Sequence, residues 1–314
     1  MSLFELHALR FSFVAREAIR FEAPASNVLR GAFGTIFRRI ACAPDCPGAG
    51  CCERRAQCPY ARMFEPGASG GGASGLTNWP RPFVFRAMHL DGQSFAEGEG
   101  FHFDLHLFDT KISAVRRLAM AFAELGREGL GRGRRRVELR GVSRLNRMGE
   151  EAGSLYEAGT VAAEDVAPVV VDLDGAAGGG RVGRLRVRFV TPTELKHEGQ
   201  VAARPEFGIL AARARDRVSA LREFYGAGPL EIDYRGFGQR AALVEMTRCE
   251  IEHVELRRRS SRTGQTHPIG GFVGEAEYEG ELSEFAGYLE AAKWTGVGRQ
   301  TVWGKGMIVT EMEA

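Results

Sequence analysis

The residues best suited to chemistry form a glycine-rich segment near the end of the chain, residues 296–306. It reads Gly-Val-Gly-Arg-Gln-Thr-Val-Trp-Gly-Lys-Gly. Glycine permits positive φ angles and close approach of a ligand to the backbone, and successive amides in such turns form concave anion sites. The spacing matches neither a Walker loop nor the dinucleotide-binding fingerprint. A basic loop of this kind suits a phosphodiester backbone, and its predicted contacts are Gly296, Gly298, Arg299, Trp303, Gly304, Lys305 and Gly306.

Arginine dominates the basic residues, because lysine occurs only four times among the 42 lysines and arginines. The net charge is only +2, so the clustering of the arginines matters more than their total. The planar guanidinium fork suits phosphate oxygens and base edges. Each cluster alone is also explained by a solvated surface, but two clusters at comparable places in two halves favour phosphate binding. The clusters comprise Arg132, Arg134 and Arg135, and Arg257, Arg258, Arg259 and Arg262.

Five of the six cysteines lie between residues 42 and 58, with the spacing C-x3-C-x4-C-C-x5-C. Such density in a chain without a secretion signal indicates metal binding rather than disulfides. Four thiolates can close a tetrahedral zinc site or hold an iron–sulfur cluster, and a metal would fold this otherwise coreless segment. Unligated thiols are the alternative interpretation. The predicted ligands are Cys42, Cys46, Cys51 and Cys58, with Cys52 as a substitute for Cys51.

The composition predicts a soluble protein with two domains. The chain has 314 residues, 44% of them hydrophobic and 26% charged, and this length is enough for two separate cores. No apolar run of the length that spans a bilayer occurs, and no secretory leader is evident. A cytoplasmic location without membrane contact is therefore the expectation.

A small, glycine-rich segment, residues 172–183, divides the chain into two halves with the same predicted order of elements. Alternating apolar residues indicate strands, and helical apolar spacing indicates helices. The predicted strands are 3–15, 82–90, 101–108 and 135–142 in the first half, and 183–192, 242–257, 269–278 and 307–311 in the second. The predicted helices are 26–41, 112–126, 208–225 and 282–294, the first of them capped by Ser26 or Asn27.

Each half therefore reads β-α-β-β-α-β, with a basic, glycine-rich loop before its last strand. This order predicts an α+β fold of two tandem ferredoxin-like (RRM-like) domains, each an antiparallel sheet with helices on one face. The first domain is predicted at 1–175, with a Cys-rich insertion at 42–66. The second is predicted at 183–314 and carries the glycine loop 296–306.

Four short motifs carry a resemblance to a known family. They are Leu29–Gly34 (LRGAFG), Cys58–Pro66 (CPYARMFEP), His267–Gly274 (HPIGGFVG) and the closing Gly304-Lys305-Gly306. With two ferredoxin-like halves, they resemble the RAMP superfamily of CRISPR-associated proteins. Within it, the chain is similar to the endoribonucleases that cut CRISPR precursor RNA at each repeat. The resemblance covers nearly the whole chain and is firmest at its two ends.

The resemblance implies metal-independent cleavage of repeat RNA to mature crRNA. The ribose 2′-hydroxyl attacks its own 3′ phosphate, leaving a 2′,3′-cyclic phosphate and a 5′-hydroxyl. No cofactor is implied for catalysis. The implied partners are CRISPR repeat RNA, or crRNA, and other Cas effector subunits. Histidine suits the two proton transfers of such a reaction, and arginine or lysine supplies charge stabilisation.

The chain departs from the family pattern at the first helix, where many relatives carry a catalytic histidine. No histidine lies between Val14 and Ile40. Three alternatives follow. Arginines Arg30, Arg38 and Arg39 stabilise the transition state without a histidine, His267 reaches the scissile phosphate, or the protein binds RNA without cutting it.

These alternatives correspond to different functions. The leading hypothesis is the processing endoribonuclease, in which Trp303 stacks on a base and the arginine clusters hold phosphates. The second is a non-catalytic, crRNA-binding RAMP subunit of a CRISPR effector complex. A redox protein with a metal–sulfur centre on a ferredoxin-like scaffold is the third, and it leaves the basic glycine loops unexplained.

Overall fold

A computed structural model of the chain describes residues 2–42, 45–46, 52–67, 79–110, 115–163, 165–175, 180–259 and 265–314. The chain divides into two compact units. We call Glu5–Val169 with Phe224–Gly226 the N-terminal unit, and Met1–Phe4, Val170–Glu223 and Ala227–Ala314 the C-terminal unit. The domain bounds predicted from the sequence, 1–175 and 183–314, stay a prediction.

The first half of the chain forms an antiparallel sheet with helices on one face. The strands are β1 (Leu3–Ala15), β2 (Ile19–Arg20), β3 (Phe83–Arg86), β4 (Ser94–Phe95), β5 (Gly100–Leu107), β6 (Val137–Leu145), β7 (Glu151–Glu157), β8 (Thr160–Val161) and β9 (Val169–Asp172). The main sheet has the order β3-β5-β1-β6-β7-β8, β9 pairs with β1, and β2 and β4 form a separate two-stranded sheet. The helices are α1 (Ala25–Ala41), α2 (Pro59–Phe64) and α3 (Val115–Glu128), with short 3-10 turns at Arg55–Gln57 and Met88–Leu90.

Aromatic packing holds α1 and α3 against this sheet. On β1, Phe11 and Phe13 are fully buried, and they alternate with less buried residues as strand geometry requires. The ring of Phe122 on α3 lies 4.5 Å from that of Phe11 and 4.6 Å from that of Phe33 on α1. Such ring pairs add to the free energy of burial, so both helices have a fixed position over the sheet.

The second half repeats this arrangement. Its main sheet has the order β13-β16-β10-β17, and the two further pairs are β11-β12 and β14-β15. The strands are β10 (Arg184–Thr193), β11 (Lys196–His197), β12 (Gln200–Val201), β13 (Glu245–Val254), β14 (Arg257–Arg259), β15 (Thr266–Pro268), β16 (Gly271–Glu279) and β17 (Ile308–Glu313). The helices are α4 (Phe207–Tyr225), α5 (Tyr234–Ala241) and α6 (Ser283–Thr295), with a 3-10 turn at Thr301–Trp303.

The predicted fold is confirmed. In each half the strands of the βαββαβ unit are ordered second, third, first and fourth, with antiparallel neighbours. This is the tandem ferredoxin-like arrangement, and the Cys-rich segment follows α1 as an insertion. Within the described residues, no helix has the length and apolar character needed to cross a membrane.

Several element boundaries differ from prediction. Neither Ser26 nor Asn27 caps α1; instead the backbone N–H of Ala25 donates to Asp91 Oδ1 at 2.7 Å. The strand predicted at 82–90 is confined to β3, and the one predicted at 242–257 is β13 followed by β14. Helix α5 was not predicted, because its two glycines lower helix propensity. Its N-terminus is stabilised by Asp233, whose Oδ1 accepts from Gly236 N–H at 2.9 Å.

Candidate nucleic-acid interface

The glycine loop follows α6 and has the backbone that its composition predicts. Gly296, Gly298, Gly304 and Gly306 have φ angles of 71°, 80°, 88° and 69°. A Cβ atom at Gly298 would collide with the carbonyl oxygen of Glu194, and one at Gly306 with that of Val297. The loop therefore requires glycine at these positions both for its dihedral angles and for the closeness of neighbouring backbone.

Lys305 lies inside this loop and not on its surface. Its side chain is 3% exposed, and its Nζ donates to the Gly270 carbonyl at 2.6 Å and to Gln300 Oε1 at 3.0 Å. Glu194 Oε2 lies 3.4 Å from the same Nζ. Burial lowers the pKa of Lys305, and the charge of Glu194 opposes that effect. These contacts use the Lys305 ammonium to hold the loop, and its contact with RNA stays a prediction.

Arg299 presents the exposed positive charge of the loop. About half of its side chain, 49%, is exposed, and its Nη1 donates to Glu194 Oε1 at 2.5 Å. The backbone N–H of Arg299 also donates to the Glu194 carbonyl at 3.0 Å. Glu194 thus fixes both the loop backbone and its two cations. Nothing in the local sequence marks this glutamate, because it acts across more than one hundred residues of chain.

The hairpin β14–β15 lies beside the glycine loop and carries other predicted residues. Arg258 and His267 are paired in the hairpin register. The rings of His267 and Trp303 are 6.1 Å apart, and Gln300 Nε2 donates to the Pro268 carbonyl at 3.3 Å. Arg257 is exposed, and Arg262 lies outside the described residues. The C-terminal unit therefore places His267 of the basic hairpin next to Trp303 of the glycine loop.

Two of the three predicted catalytic arginines lie over the insertion helix α2. The guanidinium carbons of Arg30 and Arg38 are each 5.9 Å from a ring centre, that of Phe64 and that of Tyr60 respectively. These two rings stack on each other at 5.2 Å. A Cβ atom at Gly34 would stand only 3.0 Å from the Phe64 ring, so glycine lets α2 pack closely on α1. Arg38 is exposed and carries its charge at the edge of this contact.

Arg39, the third predicted catalytic arginine, is engaged in ion pairs between helices. Its Nη2 contacts Glu128 and lies 3.3 Å from Glu124, both on α3. The hydrogen bond to Glu128 raises the pKa of Arg39. Exposed ion pairs of this kind contribute little stability, but they orient the guanidinium toward α3. Arg38 is therefore the better catalytic candidate of the two.

The first arginine cluster lies at a tight turn between α3 and β6. Leu130 and Arg135 exchange backbone hydrogen bonds of 2.8 and 2.9 Å. Arg134 has a positive φ of 46°, and Arg132 is 88% exposed. These arginines belong to the N-terminal unit together with those of α1, whereas the glycine loop belongs to the C-terminal unit.

The cysteines converge where α1 ends and α2 begins. The Sγ atoms of Cys42 and Cys58 are 3.9 Å apart, and Cys46 and Cys52 line the same recess of about 510 Å³. Cys51 lies outside the described residues. Burial and the neighbouring thiols, Cys58 foremost, raise the pKa of Cys42 to about 12. In the part of the chain that the structure describes, no group of three or more side chains is arranged to hold a metal ion. Metal binding therefore stays a prediction.

The loop's dependence on Glu194 predicts a loss of stability in acid. Burial would raise the pKa of Glu194, but the Arg299 hydrogen bond and the charge of Lys305 outweigh it and hold the pKa below its usual 4.5. The unfolded chain therefore binds more protons than the folded one in this range, and stability falls as the pH drops below about 4.5. We expect the unfolding temperature of wild type to fall more steeply between pH 5 and 3 than that of Glu194→Gln, as followed by circular dichroism. Parallel curves would contradict this role.

Comparison with known proteins places this geometry in context. The family model of CRISPR-associated endoribonuclease Cas6 matches residues 187–308, and a second model, described as an N-terminal domain, matches residues 4–168. Cas6 of Thermus thermophilus has a similar structure, with 18% identity, a TM-score of 0.54 and coverage of 98% of each chain. Its product complex gives 16% identity, a TM-score of 0.56 and coverage of 98% of this chain and 99% of that one.

A partial Cas6-RT-Cas1–Cas2 complex is also similar, with 10% identity and a TM-score of 0.54. The match covers 98% of this chain and 46% of that chain. No protein with a curated description matches the chain in sequence. At these identities, the structural likeness supports the fold alone.

Proposed function

We propose that the chain cleaves CRISPR precursor RNA within repeats, because the family model of CRISPR-associated endoribonuclease Cas6 matches residues 187–308. The observation that carries this proposal is the glycine loop. It lies within the matched range 187–308, and close backbone packing prevents side chains at Gly298 and Gly306. A backbone turn of this kind can follow an RNA strand closely.

The proposed chemistry uses the RNA's own 2′-hydroxyl. It attacks the adjacent 3′ phosphorus while the bond to the 5′ oxygen breaks, which yields a 2′,3′-cyclic phosphate and a 5′-hydroxyl. Arg38 supplies positive charge to the pentavalent phosphate, and such donors matter most where charge develops. In the alternative site, His267 is the candidate for proton transfer, because its ring lies beside the glycine loop, 6.1 Å from that of Trp303, and histidine is the side chain that most often acts as general acid or base.

A second function, a crRNA-binding subunit that does not cut, is favoured by two observations. The first helix offers no histidine, and Arg39 is engaged with Glu124 and Glu128. A subunit of this kind needs only the loop and the basic surfaces.

Similar structures include Cas6 in a product complex and a partial Cas6-RT-Cas1–Cas2 complex. We infer that repeat RNA, or crRNA, and other Cas proteins are the partners of this chain.

The proposed function is tested by incubating the purified protein with repeat RNA in EDTA. We expect a single cut, with a cyclic phosphate on the upstream product and a 5′-hydroxyl on the downstream product. A matched RNA with one 2′-deoxynucleotide at the cut position should remain intact, because it lacks the attacking hydroxyl. Stable binding without cutting would instead support the subunit, and no binding of repeat RNA would refute both functions.

We also propose that the cysteine cluster holds a structural metal, either zinc or an iron–sulfur cluster. The 3.9 Å separation of Cys42 Sγ and Cys58 Sγ is too long for a disulfide but suits two ligands of one tetrahedral ion, with Zn–S distances of about 2.3 Å. A bound cation would also stabilise the Cys42 thiolate that burial disfavours. The further ligands are Cys46 and either Cys51 or Cys52.

The metal proposal predicts the behaviour of two serine variants. Cys58→Ser should remove the bound metal and lower the unfolding temperature, because the junction between α1 and α2 loses its cross-link. Elemental analysis and thermal unfolding measure these effects. Cys249→Ser on β13 is the control and should keep the metal content of wild type. Wild-type protein purified without any thiol-bound metal would contradict the proposal.

A further inference from the structure

A groove beside α3 in the N-terminal unit has no role in the function described so far. It consists of two adjoining recesses of about 710 and 440 Å³, which share Ala123, Arg127, Tyr156 and Gly159 as lining residues. One wall is α3, and the hairpin β7–β8 contributes Tyr156, Gly159 and Val161. We call this surface the α3 groove.

The α3 groove carries an excess of positive charge. Among the described residues, six arginines and two carboxylates, Glu124 and Glu138, line it, and two further carboxylates, Glu17 and Glu128, pair with Arg136 and Arg39. Arg127 and Arg140 have 74% and 58% of their side chains exposed, so their charge faces solvent. A concave surface with such an excess of positive charge concentrates anions. The six arginines are Arg16, Arg39, Arg116, Arg127, Arg136 and Arg140.

Glu138, which lines the larger recess, orients two guanidinium groups and uses only part of their hydrogen-bond donors. Glu138 accepts hydrogen bonds from Arg140 Nη1 at 2.7 Å and from Arg16 Nε at 2.6 Å. The bonds from Arg140 and then Arg16 lower the pKa of Glu138, so it stays ionised at neutral pH. A guanidinium has five N–H donors, and these contacts use only part of them. The remaining donors are available to phosphate oxygens.

Aromatic surface lies among these charges. Tyr156 is half-buried and lines both recesses, and Met120, which is 54% exposed, lines the smaller one. A basic channel with an aromatic ring along it is the arrangement that binds single-stranded nucleic acid, because phosphates follow the charges and bases stack on the ring.

We propose that the α3 groove binds single-stranded RNA that continues from the repeat, with phosphates on the arginines and a base on Tyr156. This inference rests on the proposed function. Two lining residues are neighbours in sequence of other basic residues in the N-terminal unit. Arg39, which lines the smaller recess, is the neighbour of Arg38 on α1, and Arg136 directly follows the cluster Arg132–Arg135. An RNA strand in the groove would therefore run between the arginine cluster Arg132–Arg135 and helix α1, which carries Arg38.

The experiment compares two double variants on two RNAs. Arg127→Gln with Arg140→Gln removes two lining charges, and Arg117→Gln with Arg147→Gln removes two exposed arginines that do not line the groove. The RNAs are a minimal repeat and the same repeat extended by unpaired flanking nucleotides. For the extended RNA, we expect the groove variant to bind roughly tenfold more weakly. The slope of log K against log salt should also become shallower by about 1.4, because each of the two lost phosphate contacts contributes about 0.7 to that slope.

The control variant should match wild type on both RNAs, and Tyr156→Ala should weaken binding of the extended RNA roughly tenfold through lost stacking. Circular dichroism confirms that each variant is folded. If wild type cuts the minimal repeat and the groove variant keeps full affinity for the extended RNA, this inference is overturned and the proposed function is not. An acidic protein surface would then be the better candidate to bind the α3 groove. If wild type binds neither RNA, the proposed function fails together with it.

Discussion

Replacing Gly306 with alanine is expected to weaken the binding of repeat RNA strongly and to destabilise the C-terminal unit. The φ of 69° costs an L-residue about 1–2 kcal/mol. The added Cβ would also collide with the carbonyl oxygen of Val297. Because this oxygen belongs to the backbone, no side-chain rotation can relieve the collision. The backbone must therefore move, and with it the hydrogen bond of 2.8 Å from Val297 N–H to the Gly306 carbonyl. We expect the Kd for repeat RNA to rise by at least about a hundredfold, the equivalent of several hydrogen bonds.

Gly228 provides the matched control for this variant. It lies in the same unit and has a φ of 100°, but no atom stands within 4 Å of the position of its Cβ. Gly228→Ala should therefore show the backbone strain alone, with a modest fall in the unfolding temperature and an unchanged Kd. Equal loss of RNA binding in both variants would mean that general destabilisation, and not the shape of the loop, is responsible.

Replacing Arg38 with alanine is expected to slow cleavage far more than it weakens binding. A donor that acts on the charge of the transition state contributes roughly 10²- to 10³-fold to the rate, whereas one phosphate contact among many changes Kd by a small factor. The single-turnover rate at saturating protein and the Kd from a binding assay measure the two effects separately. Arg38→Lys should recover part of the rate, since it restores the charge without the planar fork.

Arg39→Ala is the control, because it removes the neighbouring guanidinium, whose ion pairs are with Glu124 and Glu128. We expect its cleavage rate to stay within a few-fold of wild type. A proportional loss of rate and affinity in Arg38→Ala would identify Arg38 as a phosphate anchor. A larger loss in Arg39→Ala would instead transfer the catalytic assignment to that residue.

The fold could be predicted from the sequence because its signals are local. The alternation of Phe11 and Phe13 on β1 and the spacing of Leu29 and Phe33 on α1 each report one buried face. The same order of elements then occurs twice, and this repetition specifies the ferredoxin-like arrangement. The positive φ angles of the glycine loop were likewise predictable, since glycine is the residue that adopts them without strain.

The roles of individual cations could not be predicted, because their partners are distant in sequence. Lys305 contacts Glu194 and Gly270, which lie 111 and 35 residues away along the chain. A lysine between two glycines therefore has the same local pattern whether it faces solvent or the interior. The role of Arg39 could not be predicted for the same reason, since the glutamates that pair with it lie on α3. The start of α1 depends on Asp91, which no capping rule within the helix reveals.

The contact between Gly34 and Phe64 couples helix α1 to the insertion that carries α2. Glycine within a helix is unfavourable by about 1 kcal/mol relative to alanine, and at residue 34 that loss is offset only while α2 packs against α1. Deleting the insertion would remove the Phe64 ring, and Gly34→Ala would then be expected to stabilise α1. In the intact chain the same substitution opposes the close packing of α2 on α1, so its effect on stability reports whether the two helices are in contact.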